Sequence, residues 1–344
     1  MTSMKAALWT ATDQIEITDL PMPEVPEGWA LVKVAYNGIC GTDLAILHGK
    51  HPRASAPLIM GHEISGWVEQ AGETGPAAGT LVVVEPLVSC GECRSCKNGL
   101  THVCRHLGLY GIDSPGGMAQ YVALPPDVLH VVPDGVDPRT ATLAEPLAVA
   151  VHAVELSGLE AGSTVAVYGA GPIGILTALV ARHAGAAAVV ITEPSPWRRE
   201  VAENLGFTVV PADSTMAATL GPLTDGEGAD VTFDSAAHPS VAAELTAVTR
   251  VRGRIVVVGV YKQRAALDLQ AVCFKEQTVV GVRVYTSQDV TSAIELIASG
   301  ALGLDRFPTR SFDLSEVAAA FEAATSGQEC LKVLLTPLPG KADT

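Results

Sequence analysis

The chain has 344 residues, of which 48% are hydrophobic and 17% charged, and its formal net charge is −15. This length allows two domains with separate cores, and the composition is typical of a soluble α/β protein. The acidic balance argues against a nucleic-acid or anionic-membrane partner, because both require a basic face.

The N-terminal residues lack the apolar segment of a secretory signal, and no apolar run approaches the ~20 residues of a membrane span. We therefore expect a cytoplasmic protein. In that compartment the seven cysteines favour metal ligands or buried thiols over disulfides.

The first part of the chain, residues 5 to about 145, is predicted to be mainly β-structure. Apolar or alternating segments predict strands at 31–36, 63–69, 81–84 and 118–122. Glycine and proline residues separate these short strands, which is typical of a small distorted barrel.

The pattern changes to helix near residues 141–152 and then alternates between strand and helix from Ser163 onward. About six strands are predicted, and this alternation is typical of a doubly wound parallel sheet. The strands are expected at 164–168, 188–191, 207–210, 230–234, 254–259 and 278–282.

The last part of the chain is predicted to return to the first domain. It contains amphipathic helices at 289–299 and 317–324 and a strand at 332–335. The predicted domains are therefore 1–148, 149–287 and a returning segment 288–344.

A glycine-rich turn follows the strand at 164–168 directly. The motif G-x-G-x-x-G comprises Gly169, Gly171, Pro172, Ile173 and Gly174. The first glycine can adopt a backbone conformation closed to other residues, the second lets a pyrophosphate approach, and the third lets the helix pack closely. The free N–H groups at the helix N-terminus favour phosphate binding, so the turn predicts a dinucleotide site.

An acidic residue, Glu193, lies about 20 residues after the glycines, at the end of the next predicted strand. Its carboxylate would accept hydrogen bonds from ribose hydroxyls and repel a 2′-phosphate, which favours NAD over NADP. Arg198 and Arg199 follow it, and either cation could hold a phosphate.

Four cysteines lie close together in the first part of the chain. They are Cys90, Cys93, Cys96 and Cys104. Four thiolates at this spacing can bind zinc in a closed tetrahedral site, which has a structural role. An iron–sulfur cluster is the alternative, and zinc is favoured because no electron path is evident nearby.

Further metal-binding residue types are dispersed along the chain as Cys40, His62, Glu63 and Glu145. The segments GICGTD (38–43), GHE (61–63), the cysteine lobe (90–104), EPLAVAVHA (145–153) and GAGPIG (169–174) occur in this order. In this combination the chain resembles the zinc-dependent medium-chain dehydrogenases, specifically their polyol and butanediol dehydrogenase branch. The resemblance implies a mainly β GroES-like catalytic domain and a Rossmann domain that binds NAD.

The resemblance also implies two zinc ions per chain. Cys40, His62 and Glu145 would hold the catalytic zinc, with Glu63 as an alternative ligand. The carboxylate before Pro146, where many alcohol dehydrogenases have cysteine, indicates the polyol branch.

In the implied mechanism, zinc acts as a Lewis acid on the substrate hydroxyl, and the alkoxide transfers a hydride to the nicotinamide. Thr42 would pass the proton outward, and Asp43 would orient neighbouring groups. Many relatives have histidine where this chain has Ala45, so His48 or water would have to complete the relay. We expect His48 to be a surface residue instead.

Other segments resemble the lining of the cofactor site, namely Val258, Gly259, Val260, Val282 and Arg283. Sorbitol dehydrogenases have arginine where this chain has Val284, which argues against a strict sorbitol dehydrogenase.

The leading hypothesis is oxidation of a secondary alcohol in a vicinal diol or polyol, by a homodimer or homotetramer paired through the apolar segment 278–282. A threonine 3-dehydrogenase and a catalytically silent NAD-binding relative remain the alternatives.

Overall fold

The computed structural model describes residues 3–211 and 214–338 of the chain. The ends of the predicted domains at residues 1–2 and 339–344, and residues 212–213 of the predicted Rossmann domain, lie outside the described residues. None of the helices found in the described ranges is long and apolar enough to cross a membrane.

The strands are numbered β1 to β18 in chain order through the described residues. They are Ser3–Ala11, Gln14–Pro21, Ala30–Ile39, Leu58–Ile59, Glu63–Gln70, Leu81–Val84, Leu87–Val88, Gly108–Leu109, Tyr121–Leu124, Leu129–Val131, Thr164–Tyr168, Ala188–Thr192, Thr208–Val209, Ala229–Asp234, Thr249–Val257, Thr278–Gly281, Thr309–Asp313 and Lys332–Thr336.

The α-helices are numbered α1 to α11 in the same way. They are Gly41–Leu47, Arg94–Lys97, Pro138–Ala141, Ala144–Ser157, Pro172–His183, Pro196–Asn204, Met216–Leu220, Pro239–Val248, Leu269–Phe274, Ser287–Ala298 and Val317–Ser326.

The chain packs as two compact units. Unit 1 contains the residues up to Glu145 and those from Thr286 onward, and unit 2 contains Pro146–Tyr285. The domain limits given above, at 148/149 and 287/288, stay predictions.

Unit 1 is mainly β-structure. Its larger sheet has the order β10-β6-β5-β3-β18-β17 with β9 paired to β3, and a smaller sheet has the order β2-β1-β4. The returning strand β18 pairs with β3 in antiparallel register and joins Val333 to Ile39. The C-terminal segment therefore lies beside the end of β3, where Cys40 follows.

The segment 118–122 is only partly a strand, and the sequence prediction was wrong for its first residues. The observed strand is Tyr121–Leu124. The Met118 N–H instead donates to the Met60 carbonyl, and the Met118 carbonyl accepts a hydrogen bond from the Ala7 N–H. These long-range bonds hold Met118 between two other segments rather than in the ladder.

Unit 2 is built on a six-stranded parallel sheet of order β13-β12-β11-β14-β15-β16. Its central strand β11 is buried along its whole length, as expected of a continuous apolar strand covered on both faces. This strand order is the doubly wound order of Rossmann folds, with the crevice at the carboxyl ends of β11 and β14. The predicted α/β fold is confirmed.

Candidate active site and cofactor pocket

Cys40 lies at the junction of β3 and α1. Its backbone N–H donates to Asp43 Oδ2 at 2.8 Å, so the carboxylate caps the start of the helix. Thr42 lies two residues along, with its hydroxyl oxygen 3.8 Å from the Cys40 sulfur. The cap therefore places the thiol and the hydroxyl side by side.

His62 is buried in the segment that leads into β5, with 4% exposure. Its Nδ1 lies 3.6 Å from Asp43 Oδ1, and both atoms are buried without a hydrogen bond. Burial lowers the pKa of His62, but the Asp43 carboxylate and the neighbouring Cys40 outweigh it and raise this pKa well above 6.5. Asp43 therefore lies beside both His62 and Cys40, and its orienting role stays a prediction.

Glu63 is the first residue of β5 and is 1% exposed. Its Oε1 accepts a bond of 2.6 Å from the ammonium group of Lys332, which is itself buried. Its other oxygen has no hydrogen-bond partner. A Cβ at Gly38, directly opposite in the ladder, would lie 1.9 Å from that oxygen, so the carboxylate occupies the space that only glycine leaves.

Lys332 was not identified by the sequence analysis. It begins β18, and its ammonium also donates to the Ile39 carbonyl at 3.3 Å. Burial lowers the pKa of Lys332, but Glu63, Cys40 and Glu145 outweigh it, so this pKa is raised above 10.5. The residue is a charged lysine surrounded by predicted metal ligands, and nothing in the local pattern KVLLT distinguishes it from a strand-end surface lysine.

The structure brings together three of the four predicted ligands of the catalytic metal. Cys40, His62 and Glu63 each offer a ligand atom within 4.8 Å of the other two. Glu145, in the first turn of α4, is outside this group, although it lies near enough to raise the pKa of Lys332. A sulfur, an imidazole nitrogen and a carboxylate oxygen are the donors that zinc takes, and the unpaired Glu63 oxygen and His62 nitrogen leave polar capacity for a cation. These residues fit zinc.

The four clustered cysteines converge in the loop between β7 and β8. Four of their six sulfur–sulfur separations are 3.4 to 4.0 Å, and all six are within 4.8 Å. Four thiolates around one zinc at about 2.3 Å would be separated by about 3.8 Å. The loop therefore has the shape of a closed zinc site.

The relay candidate His48 is paired with a carboxylate at the surface. Its Nδ1 lies 2.5 Å from Asp13 Oδ1, and both side chains are largely exposed. The prediction that His48 is a surface residue agrees with this pairing.

The glycine turn of unit 2 has the geometry expected of it. Gly169 has a φ of +97°, and a Cβ at Gly174 would lie 1.9 Å from the Gly169 carbonyl oxygen. A Cβ at Gly171 would meet only the Arg198 guanidinium, at 3.8 Å. The turn is closed toward the helix and open toward the cavity beside it, and Pro172 and Ile173 begin α5.

Glu193 follows β12 and is buried beside this turn. One carboxylate oxygen accepts the Ala170 N–H at 2.8 Å and the other accepts the Ser195 N–H at 3.0 Å. Arg199 donates to the carbonyls of Glu193 and Pro194. Glu193, Arg198 and Arg199 all line a cavity of about 900 Å³ together with the glycine turn.

The remaining predicted cofactor residues lie at the carboxyl ends of neighbouring strands. Val258 and Gly259 follow β15 and donate their N–H groups to the Asp234 carbonyl, whereas Val260 is 87% exposed. Val282 and Arg283 follow β16, and Arg283 is exposed. Sequence reasoning missed Asp234, whose carboxylate caps the next turn at Ala236 and Ala237.

Family models match both parts of the chain. Residues 26–134 match the alcohol dehydrogenase GroES-like domain, and residues 172–299 match the zinc-binding dehydrogenase domain. The chain is also 41% identical to the 2-dehydro-3-deoxy-L-galactonate 5-dehydrogenase of Pseudoalteromonas atlantica, over 90% of this chain and 91% of that protein. The chain belongs to the zinc-binding dehydrogenases. It is an oxidoreductase of the zinc-dependent alcohol dehydrogenase family.

Other members of this family are similar over almost the whole chain. The L-threonine 3-dehydrogenase of Bacillus subtilis is 35% identical over 93% of this chain and 94% of its own length. A putative zinc-binding dehydrogenase from Sinorhizobium meliloti, solved with NADP, has a TM-score of 0.92 and 33% identity, covering 98% of this chain and 100% of that one. The 2R,3R-butanediol dehydrogenase of Bacillus subtilis has a TM-score of 0.91 and 31% identity, with the same coverage.

These similarities confirm the predicted family, its polyol and butanediol relatives, and zinc and a nicotinamide dinucleotide as the cofactors of the class. The individual ligand and cofactor residues stay predictions.

Proposed function

We propose that this dehydrogenase oxidises a secondary alcohol in a vicinal diol or polyol to the ketone, and catalyses the reverse reduction, with NAD and two zinc ions per chain. The observation that carries the proposal is the convergence of Cys40, His62 and Glu63 in a chain that also has the closed cysteine loop. An open metal site together with a closed one favours a catalyst over a silent NAD-binding protein.

Cys40, His62 and Glu145 are the proposed ligands of the catalytic zinc. Glu63 is the less suited carboxylate, because one of its oxygens is already held by Lys332. Zinc supplies Lewis acidity, which lowers the pKa of a bound hydroxyl. The Thr42 hydroxyl, next to Cys40, is proposed to take the substrate proton and pass it to water, since Ala45 and the Asp13-bound His48 offer no imidazole relay.

NAD is the proposed physiological cofactor. The buried Glu193 carboxylate beside the glycine turn disfavours a 2′-phosphate and can accept ribose hydroxyls. Because relatives of this family include an NADP-bound structure, the preference is a property to be measured for this chain.

The proposed substrate carries a hydroxyl next to the reacting carbon. A zinc with one thiolate, an imidazole and a carboxylate is harder than one with two thiolates, so it suits an oxygen-rich substrate. L-Threonine is disfavoured as a substrate because its ammonium and carboxylate need charged partners, whereas Ala45, Leu47 and Val284 are apolar. A sugar acid is the second candidate, because the relative at 41% identity is a dehydrogenase of a 2-dehydro-3-deoxy sugar acid.

A comparison of kcat/KM at fixed NAD would test the proposal. The panel contains the 2,3-butanediol isomers, sorbitol, xylitol, L-threonine, ethanol and, as the sugar acid, 2-dehydro-3-deoxy-L-galactonate, all in the oxidising direction. We expect a vicinal diol or polyol to be best. Ethanol or threonine as the best substrate would contradict the proposal, and a sugar acid as the best substrate would select the second candidate.

The proposal also includes a cytoplasmic homodimer or homotetramer. All seven cysteines are free in the structure. Free thiols persist in a reducing compartment such as the cytoplasm.

A further inference from the structure

Four candidate donors lie in or near the proposed catalytic zinc site, one more than an open site can use. Cys40, His62 and Glu63 offer ligand atoms within 4.8 Å of one another, and Glu145 lies near enough to raise the pKa of Lys332 beside them. Two ligand atoms on one tetrahedral zinc are separated by about 3–4 Å, so a small shift would let Glu63 bind. A zinc with four protein ligands is closed, and a catalytic zinc keeps one position open. One of the two carboxylates must therefore be held back.

Glu63 is the carboxylate that is held by a fixed cation. Its Oε1 accepts a hydrogen bond of 2.6 Å from the Lys332 ammonium, and both residues are at most 4% exposed. The ammonium also donates to the Ile39 carbonyl at 3.3 Å, next to the point where β18 pairs with β3. The strand ladder therefore fixes the ammonium, and the ammonium fixes one oxygen of Glu63.

The second oxygen of Glu63 has unused capacity for a cation. Oε2 is buried without a hydrogen-bond partner. Within the described ranges, Lys332 is the one residue that forms a hydrogen bond or ion pair with this side chain. A buried carboxylate without a partner is costly. If the Lys332 charge were removed, a metal ion at the neighbouring ligands would be the cation within reach of Glu63.

We propose that Lys332 is a positioning residue that holds Glu63 out of the zinc coordination sphere and so keeps the fourth position open for substrate. The inference rests on the proposed function, because it assumes that zinc is bound by Cys40, His62 and Glu145. Without the ammonium, Glu63 becomes a fourth protein ligand, and the site is closed in the way of a structural zinc site.

Substitution of cobalt(II) for zinc in the full chain tests this without turnover, because the visible absorption of cobalt changes with its ligands. Imidazole is the probe for an open position, and it should shift the wild-type spectrum. Lys332→Met should raise the imidazole concentration for half of that shift by about 10-fold or more and lower kcat by about 10- to 100-fold, the range of substitutions beside metal ligands. Cobalt in the cysteine loop should not respond, because its four thiolates leave no open position.

The double variant Lys332→Met with Glu63→Gln should restore the imidazole shift, because no carboxylate at position 63 remains to close the site. A purely structural role of Lys332 would not give this rescue. Lys332→Arg keeps the charge and should keep most of the shift. Lys275→Met is the matched control, since Lys275 donates to three backbone carbonyls in the other unit, and it should leave the imidazole response unchanged.

Glu63→Gln alone tests the inference even if Lys332→Met does not fold, and it should keep two metal ions per chain and the imidazole shift. Loss of the catalytic metal from Glu63→Gln would overturn the inference, because Glu63 would then be the ligand. A wild-type imidazole response in Lys332→Met would also overturn it. Wild-type protein that binds one metal ion per chain, or whose cobalt does not respond to imidazole, would contradict the proposed function itself.

Discussion

At the scale of single residues, the buried pair of Glu63 and Lys332 decides the charge of the candidate zinc site. The predicted thiolate and carboxylate ligands bring negative charge into a buried region. The Lys332 ammonium lies close enough to Glu63, Cys40 and Glu145 for them to raise its pKa. A buried ion pair contributes little compared with an apolar pair, but removal of one partner leaves an uncompensated charge.

Lys332→Met should lower the free energy of unfolding by about 3–5 kcal/mol, because it leaves the Glu63 carboxylate buried and unpaired. Denaturant unfolding of metal-free protein measures this. The double variant Lys332→Met with Glu63→Gln is the control, and it should recover part of the loss. An unchanged unfolding midpoint in the single variant would show that the pair does not determine stability.

The pH dependence of this pair follows from the direction of the pKa shift. Because the folded pKa of Lys332 is raised above 10.5, its contribution to stability is fully present below pH 10.5. It is lost as the pH rises through the folded pKa. Wild-type protein should therefore lose stability above pH 10.5 more steeply than Lys332→Met, as thermal melts at increasing pH would show.

At the scale of elements, the loop between β7 and β8 is organised by its cysteines rather than by a core. It contains a short α-helix, Arg94–Lys97, and a 3-10 helix, Thr101–Val103, and Cys104 is buried in it. Few apolar side chains are available to order such a loop, so a bound metal would supply its stability.

Cys93→Ala should remove one zinc per chain and damage folding or assembly. Cys40→Ala is the matched substitution, and it should remove the other zinc and nearly all turnover while the protein stays folded. Elemental analysis, circular dichroism and kcat measure the three effects. Full activity in Cys40→Ala would show that the catalytic zinc is assigned wrongly.

At the scale of the whole molecule, the outer strand β16 (Thr278–Gly281) leaves one edge of the parallel sheet open in the single chain. It pairs only with β15 within the described sheet. Val279 on this strand and Leu269 and Phe274 on the preceding helix are exposed. An apolar unpaired edge promotes pairing with another chain.

We expect light scattering to give a dimer or tetramer for the wild type. Val279→Lys should shift the assembly toward smaller species, because a charge on the strand disfavours edge pairing. Val251→Lys, at another exposed valine of unit 2, is the control. A stable wild-type monomer at working concentration would remove the prediction.

The sequence by itself determined the features whose information is local. The glycine turn, the cysteine loop and the alternating strands and helices are each specified by residues close together in the chain, and spacing was sufficient to predict them. Their order along the chain was sufficient to indicate the family, which the relatives confirm.

The tertiary structure decided what depends on residues distant in sequence. Lys332 reaches Glu63 across 269 positions because β18 returns to pair with β3, and no local pattern carries that information. Likewise, the sequence presents Arg198 and Arg199 as equals, and only the hydrogen bonds of the folded chain show that one is held by backbone carbonyls while the other faces the cavity unpaired. Long-range pairing and hydrogen-bond satisfaction are properties of the packed chain, so residue type and spacing alone do not determine them.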